Sequence, residues 1–379
     1  MYTRLLKAPA AKSFFLFGPR GTGKSVWVKQ TLSGALHLDL LESEVFADLL
    51  ASPQRLDQLV PRDHRGWVVL DEVQKVPAVL DEVHRLIEKR RLKFALTGSS
   101  ARKLRRRGVN LLAGRAITLG MHPLTCTELE RDFDLKHSLR FGQLPGAYVE
   151  EDPGAFLESY VRTYLREEVQ QEGFARNLGS FARFLEAASL SQGSLLSITQ
   201  VSSDCKVDRK TVESYFSLIE DLLLAVRVPS FTKRAKRRVT AHPKFYFFDA
   251  GVFRTLRPRG PLDAPEEIDG AALETLVFQE IRALNDYLAL GYGIHYWRTA
   301  SGHEVDFVLY GEKGLIAIEV KRTSTLRGED YRSLALFLED YPMAKAWLVH
   351  AGHKSVTEGA IRAVPAADFL RRLPESLQG

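Results

Sequence analysis

The string Gly18, Pro19, Arg20, Gly21, Thr22, Gly23, Lys24, Ser25, followed by Val26, meets every constrained position of G-x-x-x-x-G-K-[ST]. Its glycines let the backbone wrap so that successive amides face a chain of phosphates. Lys24 supplies a point charge for the β and γ groups, and Ser25 supplies a hydroxyl ligand for magnesium. A helix opening at this point adds its N-terminal dipole. The chemistry indicated is nucleoside triphosphate binding, with ATP and Mg2+ as cofactors. Context separates it from a plain Gly-rich turn, because an apolar run at 13–17 precedes it and a helical pattern over 24–32 follows.

Residues 67–72, WVVLDE, form an apolar run that ends in two carboxylates. At a strand tip Asp71 can hold the magnesium shell together with Ser25, and Glu72 can polarise the attacking water. Lys24 and Glu72 are therefore expected to be catalytic, and hydrolysis of ATP is the expected reaction. The next strand closes on TGSS at 97–100, which brings polar groups toward the γ-phosphate. Arg115, in LAGR, fits an arginine that stabilises charge on the transferring group, in cis or from a neighbouring subunit. Acting in trans, it implies a homo-oligomer; a surface ion pair is its plainer role.

A second constellation lies near the C-terminus. Asp306 sits in GHEVDFV at 302–308, and Glu319-Val320-Lys321 closes a later apolar run. Glu319 and Lys321 are two apart, so both point from one face of a strand. With Asp306 on the neighbouring strand, two carboxylates and an ammonium converge. Such a set can hold magnesium and orient water against a phosphodiester, with Glu274 on the preceding helix as a further ligand.

Strand and helix signals alternate through the first 120 or so residues, which implies a parallel sheet covered on both faces. A loop with Pro145 and Gly146 leads into helical patterns over 156–171 and 181–191. A short helix over 199–205 and a longer one follow; in the latter Val212, Tyr215, Phe216, Ile219, Leu222 and Leu223 recur at helical spacing, and Asp208 can cap its start. Two helices joined by a tight turn suggest a helix-turn-helix. Strands at 225–228 and 244–248 then read as the hairpin of a winged helix, with the basic cluster KRAKRR at 233–238 at its tip. The last third is mixed α/β: a long helix over 271–288, a strand at 294–298, paired strands at 305–310 and 315–321, a helix over 330–338 and a strand at 346–350. The expected domains are 1–135, 136–240 and 241–379.

With 379 residues, 45% of them hydrophobic, the chain can build two or three cores. No apolar run reaches the roughly 18 residues that span a bilayer, so no membrane role is expected. Two distant cysteines, Cys126 and Cys205, make neither a disulfide framework nor a zinc site, and a cytoplasmic setting fits. The formal charge of +6 is modest. The clusters at 102–107 (RKLRRR) and 233–238 are where nucleic-acid phosphates can be met, DNA before RNA.

The chain resembles a family of prokaryotic AAA+-superfamily ATPases. Members join an N-terminal ATPase domain to a C-terminal domain of uncharacterised function, related in fold to PD-(D/E)XK nucleases. The matching segments are FLFGPRGTGKS at 15–25, WVVLDEVQKVP at 67–77, FALTGSSARKL at 94–104, LLAGRA at 111–116 and HPLT at 122–125. FFDAG at 247–251, GAALETLVFQEI at 270–281 and HEVDFVL through AIEVK at 303–321 complete the resemblance. It implies nucleotide binding by residues 18–25, magnesium and water work by Asp71 and Glu72, and a restriction-endonuclease-like fold after about residue 240. Three roles stay open: a motor or switch ATPase acting on nucleic acid, an ATP-gated metal-dependent DNA nuclease, and an ATP-switched protein-interaction scaffold without nuclease activity.

Overall fold

A computed structural model describes residues 2–102, 104, 112, 114–164, 167, 178–233, 237, 242–258, 260 and 264–378. The chain divides into two compact units, one of residues 3–122 with 221–224, the other of residues 123–220 with 225 onward.

In the first unit the apolar runs become β1 (Ser13–Phe17), β2 (Leu36–Asp39), β3 (Trp67–Asp71), β4 (Lys93–Gly98) and β5 (Ala116–Gly120). They pair in parallel in the order β2-β3-β4-β1-β5. Every residue of β1 is buried, as is all of β4 after its first. Such continuous burial belongs to strands covered on both faces. The helix Val79–Arg90 turns Val79, Leu80, Val83 and Leu86 inward, the spacing of a single apolar face. These side chains join Phe15, Leu70, Phe94 and Leu96 in one core. Because the strands are parallel, their C-terminal ends share one edge. The registers Phe17↔Gly98 and Leu70↔Leu96 set the segments after β1, β3 and β4 side by side.

The second unit begins with short helices. Pro145 does not lie in a loop: it opens the helix Pro145–Val149, where its missing N–H costs nothing. The helix expected over 156–171 starts earlier, at Pro153, because Asp152 caps it by accepting from the Ala155 amide at 2.9 Å. It ends at Ser159 and gives way to a π-helical stretch, Tyr160–Tyr164; beyond Tyr164, only residue 167 of that expected span is described. Helices Leu178–Ser189, Ile198–Cys205 and Arg209–Asp221 follow. Strands β6 (Ser194–Leu195), β7 (Ala225–Val228) and β8 (Lys244–Phe247) form an antiparallel sheet in the order β6-β8-β7. Phe184, Tyr215, Phe216 and Phe245 tie that sheet to the helices through ring contacts 4.8 to 5.2 Å apart.

The long helix Pro265–Tyr287 leads to a six-stranded mixed sheet. Its strands are β9 (Gly293–Arg298), β10 (Glu304–Gly311), β11 (Gly314–Lys321), β12 (Lys345–His350), β13 (Val356–Glu358) and β14 (Ile361–Pro365), in the order β13-β14-β12-β11-β10-β9. β10 and β11 close a tight hairpin at Gly311↔Gly314. Trp297, Val308, Ala317, Phe337 and Leu348 share its core. Among the described residues no helix is long and apolar enough to cross a membrane.

Candidate nucleotide site and the C-terminal acidic cluster

The phosphate loop leaves the end of β1 and enters the helix Lys24–Thr31. Gly21 and Gly23 adopt φ of 78° and 90°, a region closed to most side chains. A Cβ on Gly18 would stand 2.3 Å from the carbonyl oxygen of Met121, so only glycine fits where the loop passes β5. Thr22 donates its hydroxyl to the Pro19 carbonyl at 2.8 Å. Lys24 is buried, and its Nζ donates to the carbonyls of Gly18 at 2.8 Å and Pro19 at 3.1 Å. The ammonium is thus held across the curl of the loop. The first amides of the helix, those of Ser25 and Val26 among them, point out of its N-terminal end.

One brace escaped the sequence reading. Arg4 donates to the Thr22 carbonyl at 2.8 Å and to the His122 carbonyl at 2.6 Å, pinning the loop to the segment after β5. A lone arginine in the leading segment gives no sequence signal for this.

Asp71 ends β3 and is 8% exposed. Thr97, on the adjacent β4, donates its hydroxyl to Asp71 and accepts the Glu72 amide at 3.2 Å. Glu72 takes a left-handed φ of 58°, a sparsely populated conformation for a side-chain-bearing residue. Its carboxylate accepts from Gln74, which also donates to Ser99 at 3.4 Å. A Cβ on Gly98 would meet the Gln74 side chain at 2.5 Å, so Gly98 makes room for this holder. Gln74 and Thr97 orient the acid pair. The donor set of a serine hydroxyl and a carboxylate is hard oxygen, which suits magnesium beside phosphates. The glycine-lined loop and Lys24 fit a triphosphate.

Arg115 is placed elsewhere. It directly precedes β5, whose register Ser13↔Ala116 and Phe17↔Gly120 puts it at the opposite end of the sheet from the loop. Five strand residues separate the two levels, about 16 Å at the rise of an extended chain. Arg115 is ion-paired with Glu88. A cis role on the phosphate does not fit this geometry.

The basic clusters are largely engaged where they are described. Arg102 is 9% exposed and ion-paired with Asp221; Leu104 is the other described member of 102–107. Lys233 lies 4.2 Å from the centre of the Tyr310 ring, and Arg237 pairs with Glu339 at 2.7 Å and Asp340 at 3.0 Å. Residues 234–236 and 238 lie outside the described residues.

In the C-terminal sheet, Glu319 and Lys321 do share a face of β11 and pair at 2.7 Å. Asp306 sits on neighbouring β10, with one carboxylate oxygen accepting the Val320 amide at 2.8 Å. Glu274 lies beside them on the long helix. A fifth group, Lys244 of β8, stands among the carboxylates, 3.1 Å from Glu274 and 2.9 Å from Asp306. Sequence reasoning passed over Lys244, although a lone lysine opening the aromatic run KFYFF is a signal. Burial and the charge of Asp306 raise the Glu274 carboxyl to about 7. Burial, then Asp306, drive Glu319 up as well. Among the described residues, no three His, Cys, Asp or Glu side chains are grouped to hold a metal ion.

Comparison with known proteins bears on the loop side of this picture. Residues 10–130 match an AAA domain. The first unit is an AAA-type P-loop domain. Residues 132–263 match a "Domain of unknown function (DUF8612)" and residues 269–369 a "Domain of unknown function (DUF4143)". The chain is 26% identical over 364 residues to "Uncharacterized protein Rv2008c" of Mycobacterium tuberculosis, covering 94% of this chain and 80% of that protein. It is 21% identical over 308 residues to an "Uncharacterized protein" of Haemophilus influenzae, covering 75% and 73%. A solved structure of the Aeropyrum pernix ORC1 protein in complex with DNA overlaps 66% of this chain and 87% of its own, at 14% identity and a TM-score of 0.29. At that score the overlap adds nothing to the assignment.

Proposed function

We propose that the AAA-type domain binds ATP with magnesium through residues 18–26 and hydrolyses it, with Glu72 as the group that polarises water. The observation that supports this most strongly is the alignment of three adjacent strand ends: the loop after β1, Asp71 and Glu72 after β3, and Thr97 closing β4. Magnesium, when bound, neutralises charge on the phosphates. Lys24 and the loop amides hold the triphosphate, Ser25 and Asp71 hold the metal, and Gln74 holds the Glu72 carboxylate until water is in place. Arg115 serves a phosphate only from a second copy of the chain.

The divisions 1–135, 136–240 and 241–379 are proposed as the working domains, the last with a restriction-endonuclease-like arrangement. Helices Ile198–Cys205 and Arg209–Asp221, with the β7–β8 hairpin, support a winged-helix reading of the middle region. Arg209, Lys210 and Ser214 are exposed along the start of the second helix, where a recognition helix meets DNA. Coupling of ATP turnover to nucleic-acid binding follows from that reading. The test of the catalytic assignment is Glu72→Gln. Binding of a fluorescent ATP analogue should stay within about twofold of wild type while hydrolysis falls by at least two orders of magnitude, the scale of losing a general base. Full turnover in this variant would remove Glu72 from the reaction.

A further inference from the structure

Lys244 changes the meaning of the C-terminal acidic set. Its side chain is 1% exposed. Its Nζ pairs with three carboxylates: Glu274 at 3.1 Å, Asp306 at 2.9 Å and Glu304 at 2.5 Å. Further contacts bear on these acids. Asp306 accepts the Val320 amide at 2.8 Å, Glu274 accepts from Tyr246, and Glu304 pairs with Arg298 at 2.8 Å. Glu319 is engaged by Lys321 through one oxygen, while its buried Oε2 has no hydrogen-bond partner among the described residues. A divalent ion bound by Asp306 would need the oxygens that already serve Lys244 and the Val320 amide, at 2.0 to 2.6 Å from its centre. It would also stand beside a buried ammonium, where like charges repel strongly.

We infer that Lys244 closes this constellation as a metal centre and makes it an internal ionic lock, joining β8 to β10 and to the helix Pro265–Tyr287. Burial alone pulls a lysine toward neutrality; Asp306 and Glu274 outweigh it and hold Lys244 charged. A charge buried this deeply is tolerated only with such partners, and removing one partner leaves the others uncompensated. The lock replaces metal-dependent phosphodiester cleavage as the role of these residues.

The test is a titration of the nucleotide-free full-length protein with Mn2+, followed by electron paramagnetic resonance. Wild type and Asp306→Asn should give the same free-Mn2+ curve. Lys244→Gln should gain a site at least tenfold tighter than any in wild type, and adding Asp306→Asn should abolish it. A stoichiometric Mn2+ site in wild type that disappears in Asp306→Asn would overturn the inference, as would Mn2+-dependent cutting of plasmid DNA lost in that variant. These two comparisons need no Lys244 variant, so they decide the matter even where Lys244→Gln melts too early to titrate.

Discussion

At the residue scale, the most exacting demands are made by side chains that hold other side chains. Glu280 is fully buried, accepting from the Cys126 amide at 2.6 Å and from Gln143 at 3.0 Å. Burial raises its carboxyl to about 8, and burial raises Asp249 to about 6. Both values lie above those of the unfolded chain, so both groups stabilise the second unit most at low pH. That stabilisation falls as the unfolded carboxyls ionise, from roughly pH 4 until the folded value near 8 is passed. Glu280→Gln keeps the acceptor and removes its titration; melting temperatures measured between pH 5 and 8 should slope down in wild type and less steeply in the variant, the remaining slope coming from groups such as Asp249. In the first unit, Gln74→Ala frees the Glu72 carboxylate. Loss of a hydrogen bond to a charged group, on the order of 1.5–3 kcal/mol, should lower kcat roughly tenfold or more with KM for ATP little changed. Gly18→Ala forces a methyl group against the Met121 carbonyl and should impair ATP binding and lower the melting temperature together.

At the element scale, Asp208 caps the helix Arg209–Asp221 by accepting the Thr211 amide at 2.9 Å. Asp208→Ala should cost about 1 kcal/mol, read from denaturant unfolding. If that helix meets DNA phosphates, Arg209→Ala with Lys210→Ala should reduce the slope of log affinity against log salt by about 2 in a shift assay. The elements themselves were largely legible. Runs such as SFFLF and WVVLD announce buried parallel strands, and the pattern Val212, Tyr215, Phe216, Ile219 announces a helix, because both are local. The phosphate loop was legible for the same reason, its residues being neighbours in sequence. Lys244 and Arg4 were not, since each acts on a residue brought to it by strand pairing or loop closure; Gln74 was not, since its hold on Glu72, two residues away, goes with the left-handed turn at Glu72 that no residue type announces. Arg115 shows the converse: its motif-like setting suggests a phosphate, and the register of β5 carries it to the other end of the sheet.

At the scale of the whole molecule, one domain of recognisable chemistry is joined to residues 132–263 and 269–369, whose matching models carry no assigned function. Where the middle region binds nucleic acid, adding DNA should raise ATP turnover severalfold, and the rise should vanish in the Arg209→Ala, Lys210→Ala protein. No stimulation by DNA or RNA would favour the scaffold role. Everything downstream rests on turnover at the loop. The direct measurement is phosphate release from ATP and Mg2+ by purified wild type and Lys24→Ala. The expected result is steady release by wild type and none above background in the variant. Equal rates in the two proteins would contradict it.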